Sequence, residues 1–329
     1  MFPEREAPAV VAACNRSRRR DVDASVQTRS ADQPSVQIRR VHALVNPASG
    51  GVGPRSAADL EDLLAELGLD HRVSELTPGR FEAVTRAAID GGPDLMVVLG
   101  GDGTARMVAE MCGPQGPMVA PLCGGTMNKL GRSLYGRKPW RQALVCALTR
   151  GEACWMPGGE VDGRSFYCSA MLGTPALWAR AREAVRSHKL DLTWRHALTA
   201  ARSAFQIRLD YEFDGEVGQG WVMDLICPTV SRALSRDDRI LEMAVLDLPD
   251  SRSGFRLALA NLIGDWRADP GVTVRPCLSA RAWARDPIPA MLDGEFFSLG
   301  REVTARFLPR AFRALALATD ANGHSSTCG

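Results

Sequence analysis

The sequence predicts a doubly wound α/β domain followed by a mainly antiparallel β domain, and three observations carry that prediction. Up to about residue 150, apolar strand-like runs alternate with segments of helical period; three of those strand ends run into glycine-rich turns; beyond about residue 155 short β-type runs follow one another between turn residues. The 329 residues suit two domains, at roughly 150 residues each.

Taken in order, residues 41–45 (VHALV) form a buried strand that stops at the turn formers Asn46 to Gly51. Leu60, Leu63, Leu64 and Leu67 recur on one helical face, so a helix covers roughly 55–67, with Gly68 as its stop. Residues 71–76 can form a second strand, and Thr77-Pro78 starts a helix whose inner face carries Phe81, Val84 and Ala88. The run 94–99 is continuously apolar, which implies cover on both faces as in a parallel sheet. Such sheets bind ligands at the carboxyl ends of their strands. In the second domain, β-type runs fall at 165–171, 205–213, 220–227, 240–246, 272–276 and 302–307, interrupted by a helical segment at about 176–204.

Composition narrows the function. The formal charge is +2, of which the first 40 residues carry +3, leaving a near-neutral body that argues against a nucleic-acid partner. Residues 1–39, rich in Arg, Ser, Asp and Gln, read as a disordered basic extension, and 318–329 as a flexible tail. Five histidines show no metal-type spacing and nine scattered cysteines contain no C-x-x-C pair, so a zinc hydrolase has no support. The odd, scattered cysteines read as reduced thiols of a cytoplasmic protein, and no apolar run reaches 18 residues, so no membrane-spanning helix is expected.

The chemistry concentrates at the strand ends. Gly100-Gly101-Asp102-Gly103-Thr104 joins the strand ending at Leu99 to a helix, and three glycines allow close backbone approach to a bulky anion. Gly124-Gly125-Thr126-Met127-Asn128 repeats the arrangement after an apolar run at 118–122. With Asn46 to Gly51, three turns would converge on one sheet edge, where a nucleotide triphosphate belongs. Asp102 among phosphates needs a purpose: holding a metal ion, orienting a hydroxyl or accepting a proton. G-x-x-x-x-G-K-[ST], G-x-G-x-x-G, H-R-D and D-F-G are all absent, which excludes P-loop ATPases, standard dinucleotide enzymes and protein kinases. Downstream, Asp293-Gly294-Glu295 offers two carboxylates, with an exposed hairpin turn as the plain alternative.

These four motifs, in this order, resemble the diacylglycerol kinase catalytic-domain family of bacterial lipid kinases, sphingosine kinases and ceramide kinases, over residues 41 to about 317. The resemblance implies an ATP-binding α/β domain over 40–153, a β-sandwich lipid-substrate domain over 154–317 carrying the D-G-E motif, and an active site in the cleft between them. It places ATP against Asn46, Pro47, Ala48, Ser49, Gly50, Thr77, Gly100, Gly101, Asp102, Gly103, Thr104, Ala105, Arg106, Gly125, Thr126 and Asn128. It makes Glu295, Asp293 and Asp102 the catalytic residues, with Glu295 as the base, Asp293 as its partner or substitute, and Asp102 in nucleotide or Mg²⁺ handling. A lipid hydroxyl must lose a proton as it attacks phosphorus, so a carboxylate within reach is required.

The departures are specific. The family's Asn-Glu after G-G-D-G-T is Arg106-Met107 here, and Arg106 could compensate by touching a phosphate. The Asp after the third motif is Lys129, and the D-D-G turn that holds a magnesium ion in some members reads Asp237-Asp238-Arg239, leaving Asp238 as the metal ligand of that site. Residues 176–208 carry seven basic and two acidic side chains with Trp178 and Trp194 among them, a composition suited either to peripheral contact with an anionic membrane or to core packing. The expected function is ATP- and Mg²⁺-dependent phosphorylation of a long-chain lipid (diacylglycerol, a sphingoid base or ceramide). The alternatives are an NAD kinase-like enzyme and a non-catalytic nucleotide or lipid sensor. The oligomeric state stays open, a homodimer included.

Overall fold

The computed structural model describes residues 37–173, 207–235, 238–247, 267 and 269–317. The helical segment expected at 176–204, the N-terminal extension to residue 36 and the tail from 318 lie outside the described residues.

The first lobe is built as its sequence pattern dictates. Strands β1 (Arg40–Val45), β2 (Asp70–Glu75), β3 (Leu95–Gly100) and β4 (Met118–Cys123) run parallel in the order β2-β1-β3-β4. Every residue of β3 is buried, as its unbroken apolar run requires. Helices α1 (Ser56–Glu66), α2 (Phe81–Asp90), α3 (Asp102–Cys112), α4 (Lys129–Tyr135) and α5 (Trp140–Arg150) complete the lobe. Leu60 and Leu64 of α1 are fully buried, in keeping with the helical face they define. Helix α2 begins at Phe81 and not at Thr77-Pro78: Gly79 has φ +80° and Arg80 N–H donates to the Thr77 carbonyl, so a turn precedes the helix.

The second lobe is an antiparallel sandwich. One layer consists of β12 (Val272–Cys277), β11 (Leu241–Leu246), β10 (Val222–Ile226), β7 (Ser169–Leu172), β14 (Pro289–Leu292) and β15 (Glu295–Ser298), in that order. The other contains β13 (Ser279–Trp283), β8 (Leu209–Phe213) and β9 (Glu216–Gly220), with β5 (Gly151–Val161), β6 (Arg164–Phe166) and β16 (Glu302–Leu317). Phe166, Leu172, Leu225, Met243, Leu292 and Val303 fill the space between the layers. The fold is therefore mixed α/β, with a parallel-rich sheet and a separate antiparallel sheet, as the sequence predicts.

Strand β16 welds the lobes together. Its first half pairs with β13; after a register shift between Leu308 and Phe312, its second half lies beside β4, with Ala314 opposite Val119. Phe312, Ala314 and Leu315 are buried in the first lobe's core, which also takes Met156, Tyr167 and Cys168 from beyond residue 153. The Tyr135 hydroxyl donates to the Leu315 carbonyl at 2.6 Å. The strand read at 302–307 thus runs on to 317, because one edge of the parallel sheet needs a partner.

Candidate functional site

Three chain turns meet at the carboxyl edge of the parallel sheet, backbone against backbone. Asn46 N–H donates to the Leu99 carbonyl at 2.9 Å, Gly51 N–H to Gly124 O at 2.9 Å, and Gly124 N–H to Gly100 O at 2.9 Å. Side chains lock the same turns. The buried Asn46 amide donates to Thr104 Oγ1 at 2.8 Å, and Gly101 N–H donates to Ser49 Oγ at 3.1 Å. A Cβ on Gly125 would stand 2.5 Å from Gly101 Cα, so only glycine permits this approach.

Asn128 shapes the third turn. At φ 52° it occupies the left-handed region, accepts from Gly125 N–H at 2.7 Å and donates to the Gly125 carbonyl at 2.7 Å. Asp102 Oδ1 accepts from Leu130 N–H at 3.1 Å, tying the second turn to the start of α4. This gives Asp102 a structural duty besides any contact with a ligand.

The edge fits a triphosphate. Helix α3 begins after Gly101, an extended N-cap without a capping side chain, so its first-turn N–H groups are left for an anion, and Gly50 has no heavy atom within 4 Å of where its Cβ would stand. Asp102 is the carboxylate at that edge, and a magnesium ion held by one carboxylate plus substrate phosphates needs no larger protein cage. Among the described residues no three His, Cys, Asp or Glu side chains gather as a metal cluster. Asp238 Oδ2 accepts from Ser235 N–H at 2.7 Å, and its neighbour Asp237 is outside the described residues.

The D-G-E motif is a hairpin turn, and the hairpin reaches the nucleotide edge. Asp293 (φ 48°) and Gly294 (φ 95°) connect β14 to β15, as an Asp-Gly pair does in a two-residue loop. The Asp293 carboxylate is fully engaged. Oδ2 accepts from Tyr167 N–H at 2.6 Å, and Oδ1 from Cys168 and Ser169 N–H at 2.8 and 2.9 Å. Burial pushes its pKa up to about 6, against the pull of those three N–H groups and of Arg106. Glu295 projects from the hairpin onto α3, and a Cβ added to Gly103 would meet its Oε1 at 2.7 Å. The turn reading and the functional reading are therefore the same structure: Asp293 fixes the loop and Glu295 is what the loop presents.

Arg106 receives Glu295. Its Nη2 donates to Glu295 Oε2, and its Nη1 donates to Glu110 Oε2 at 2.7 Å. Glu110 Oε1 in turn accepts from Ser165 N–H at 3.0 Å. The Arg106 guanidinium lies 5.7 Å from the centre of the Phe297 ring, and that of Arg164 lies 4.7 Å from the same ring. Burial alone would disfavour the Arg106 cation; Glu295 first, then Glu110 and Asp293, hold its pKa above the ordinary value.

Of the residues singled out in sequence, the loops bring Asn46, Ser49, Gly50, Gly100, Gly101, Asp102, Gly103, Gly125, Thr126 and Asn128 to one edge. Pro47 and Ala48 are exposed on the first turn, and Thr77 is exposed beyond the end of β2. Ala105 turns into the core and Thr104 is held by Asn46. Arg106 has both terminal nitrogens on carboxylates. Sequence reading missed Glu110, Ser165 and Phe297; of these, only Glu110 left a signal, its i,i+4 spacing from Arg106.

The family model described as Diacylglycerol kinase catalytic domain matches residues 40–153. No curated protein matches the chain. A crystal structure described as a diacylglycerol kinase from Bacillus anthracis str. Sterne superposes with a TM-score of 0.63 at 17% identity, covering 86% of this chain and 98% of its own. Two further structures from that strain give TM-scores of 0.63 and 0.64, each at 18% identity and with the same coverage. Residues 40–153 are therefore similar to the diacylglycerol kinase catalytic domain, and the chain as a whole shares the two-lobed fold of these bacterial structures.

Proposed function

We propose that the protein is an ATP-dependent lipid kinase that transfers the γ-phosphate to the primary hydroxyl of a long-chain lipid, with Glu295 as the base. One observation carries the reading: the Glu295 carboxylate of the second lobe lies against Gly103, in the first turn of the helix that opens the nucleotide edge. A base on one lobe and an anion cradle on the other are what in-line transfer to a hydroxyl requires.

In this reading the first-turn N–H groups of α3 and the turns at Asn46–Gly50 and Gly124–Asn128 hold the phosphates of ATP. Asp102 is placed to meet a Mg²⁺ ion, which when bound neutralises phosphate charge. Glu295 Oε1 accepts the proton of the acceptor hydroxyl, while Asp293 keeps the hairpin in place. Diacylglycerol, sphingoid bases and ceramide each present a hydroxyl beside apolar chains and fit equally. Among the described residues no helix is long and apolar enough to cross a membrane. Peripheral contact with the bilayer is part of the proposal, resting on the basic, tryptophan-bearing stretch 176–208, nearly all of which lies outside the described residues.

The test is ADP release from ATP and Mg²⁺ with diacylglycerol, sphingosine, ceramide or NAD offered separately, the lipids in mixed micelles. Activity with a lipid is expected and activity with NAD alone refutes the reading. Glu295→Gln should lower kcat by about 10²- to 10³-fold with KM for ATP within about threefold, the signature of a lost base.

A further inference from the structure

Arg106 stands where the family that the motifs resemble carries Asn, and the structure gives both its terminal nitrogens to carboxylates. It is 7% exposed, one turn into α3, with its two terminal nitrogens divided between carboxylates of different lobes. Glu110, one turn further along the same helix, anchors Nη1 at 2.7 Å, and is itself fixed by Ser165 N–H at 3.0 Å. The Phe297 ring covers the guanidinium 5.7 Å from its centre. Glu295 takes Nη2 with Oε2, while its other oxygen, Oε1, lies on the Gly103 side, 2.7 Å from where a Cβ would stand.

That division of the two Glu295 oxygens is informative. A glutamate on an edge hairpin has three side-chain torsions and, without a partner, would sample many orientations. A planar guanidinium binds one carboxylate oxygen in a defined direction, and rotation of the carboxylate is then restricted. With Oε2 held, Oε1 is left for a donor arriving over the helix start. Because Arg106 is buried and braced by Glu110 and Phe297, this restraint is rigid with respect to the nucleotide turns on the same helix.

We infer that Arg106 is a positioning residue for the base: it acts through Glu295, aligning Oε1 with the acceptor hydroxyl, and does not bind ATP phosphate. The inference rests on the lipid-kinase reading and deepens it.

The experiment measures ADP release with the lipid that the wild type uses, together with KM for ATP and thermal melting, for Arg106→Met, Arg106→Lys, Glu110→Gln, Glu295→Gln and the Arg106→Met/Glu295→Gln double variant. Arg106→Met should lower kcat by about 10²-fold with KM for ATP within about threefold, since a misplacement of about 1 Å costs that much. Arg106→Lys should recover about tenfold of the loss, because one ammonium cannot bridge two carboxylates in the planar geometry of the fork. Glu110→Gln keeps the Arg106–Glu295 contact but loosens its anchor, and should cost roughly three- to tenfold. In the Glu295→Gln background, Arg106→Met should add less than about a twofold loss, since residues that act as a unit are not additive. A phosphate ligand would instead raise KM for ATP, and a merely structural residue would lower the melting temperature and cost the full loss again in the double variant; either result overturns the inference while the kinase reading stands. Unchanged kcat in Arg106→Met also overturns it. If Arg106→Met does not fold, Arg106→Lys and Glu110→Gln decide by the same kcat-against-KM criterion. No ADP release from the wild type with any acceptor overturns the inference and the kinase reading together.

Discussion

Two aspartates of the antiparallel sheet region, Asp293 and Asp224, are both pushed up to a pKa of about 6 by burial, yet they differ in what faces them. Asp293 accepts three backbone N–H groups in succession, from Tyr167, Cys168 and Ser169. Asp224, in the middle of β10 between Met171 and Ala244, has Oδ1 buried without a hydrogen-bond partner among the described residues. Lys129 and Arg267 draw its pKa back and Glu242 adds to the rise, but burial dominates. A buried carboxylate is not in itself a support or a burden to the fold; the donors around it decide which it is.

The largest effect expected from this difference is at Asp293. Asp293→Ala removes one acceptor group and leaves three buried donors without it, so unfolding free energy should fall by about 3 kcal/mol or more. Urea titration monitored by circular dichroism would measure it. Turnover of the folded fraction should fall by no more than Glu295→Gln costs, because Asp293 acts by fixing the hairpin that carries Glu295. If Asp293→Ala costs no more stability than Asp224→Ala, the contrast between the two residues is broken.

Asp224→Asn should act in the opposite direction. A carboxyl whose pKa is raised in the fold binds its proton more tightly there than in the unfolded chain. Its stabilisation is therefore present in acid and is lost as pH rises through about 6. At pH 7 the charged Asp224, its Oδ1 unmet by any donor among the described residues, burdens the fold, and replacing it by a neutral amide should stabilise by about 1–2 kcal/mol. The difference in unfolding free energy between wild type and Asp224→Asn should shrink as pH is lowered from about 6 towards about 4, where both side chains are neutral. Asp293 titrates in both proteins and cancels from that difference. A gap that is constant from pH 7 to pH 4 would mean that Asp224 keeps its charge through another partner.

The same contrast explains what the sequence could reveal. The three glycine turns were legible because each combines residues that a bare turn does not need in that combination, and each follows a strand whose apolar run stands out. The hairpins of the second lobe were also written in the sequence. Asp162-Gly163, Asp214-Gly215 and Asp293-Gly294 all adopt positive φ and all close hairpins, so the Asp-Gly signal locates β5–β6, β8–β9 and β14–β15 alike. Nothing local says which of the three matters to chemistry. That depends on tertiary facts: Asp293 meets the N–H groups of residues 167–169, more than a hundred positions earlier, and Glu295 meets Arg106 across 189 positions. Asp224 was invisible for the converse reason, since an isolated acid in a short strand reads as the solvent face of a half-buried sheet. Likewise residues 308–317 carry no strand reading in the sequence and become the second half of β16 because β5 on one side and β4 on the other offer them edges.

The smallest effect concerns Gly294, in Asp293's own turn, and it separates the loop's shape from its anchoring. Gly294 has φ +95° and no atom within 4 Å of where a Cβ would stand, so Gly294→Ala meets no steric obstacle and only the backbone conformation resists. That should cost about 1 kcal/mol of stability, well below the loss at Asp293. Two outcomes for turnover are then distinct. If Asp293 alone holds the hairpin, its three N–H contacts keep Glu295 in place and kcat changes by less than about threefold. If kcat falls by about tenfold or more while the stability loss stays near 1 kcal/mol, the position of Glu295 is set by the φ of residue 294 as much as by the aspartate beside it. Melting temperature and ADP release measured on the same sample decide between them, since the first reports the turn's strain and the second reports where the turn aims its carboxylate.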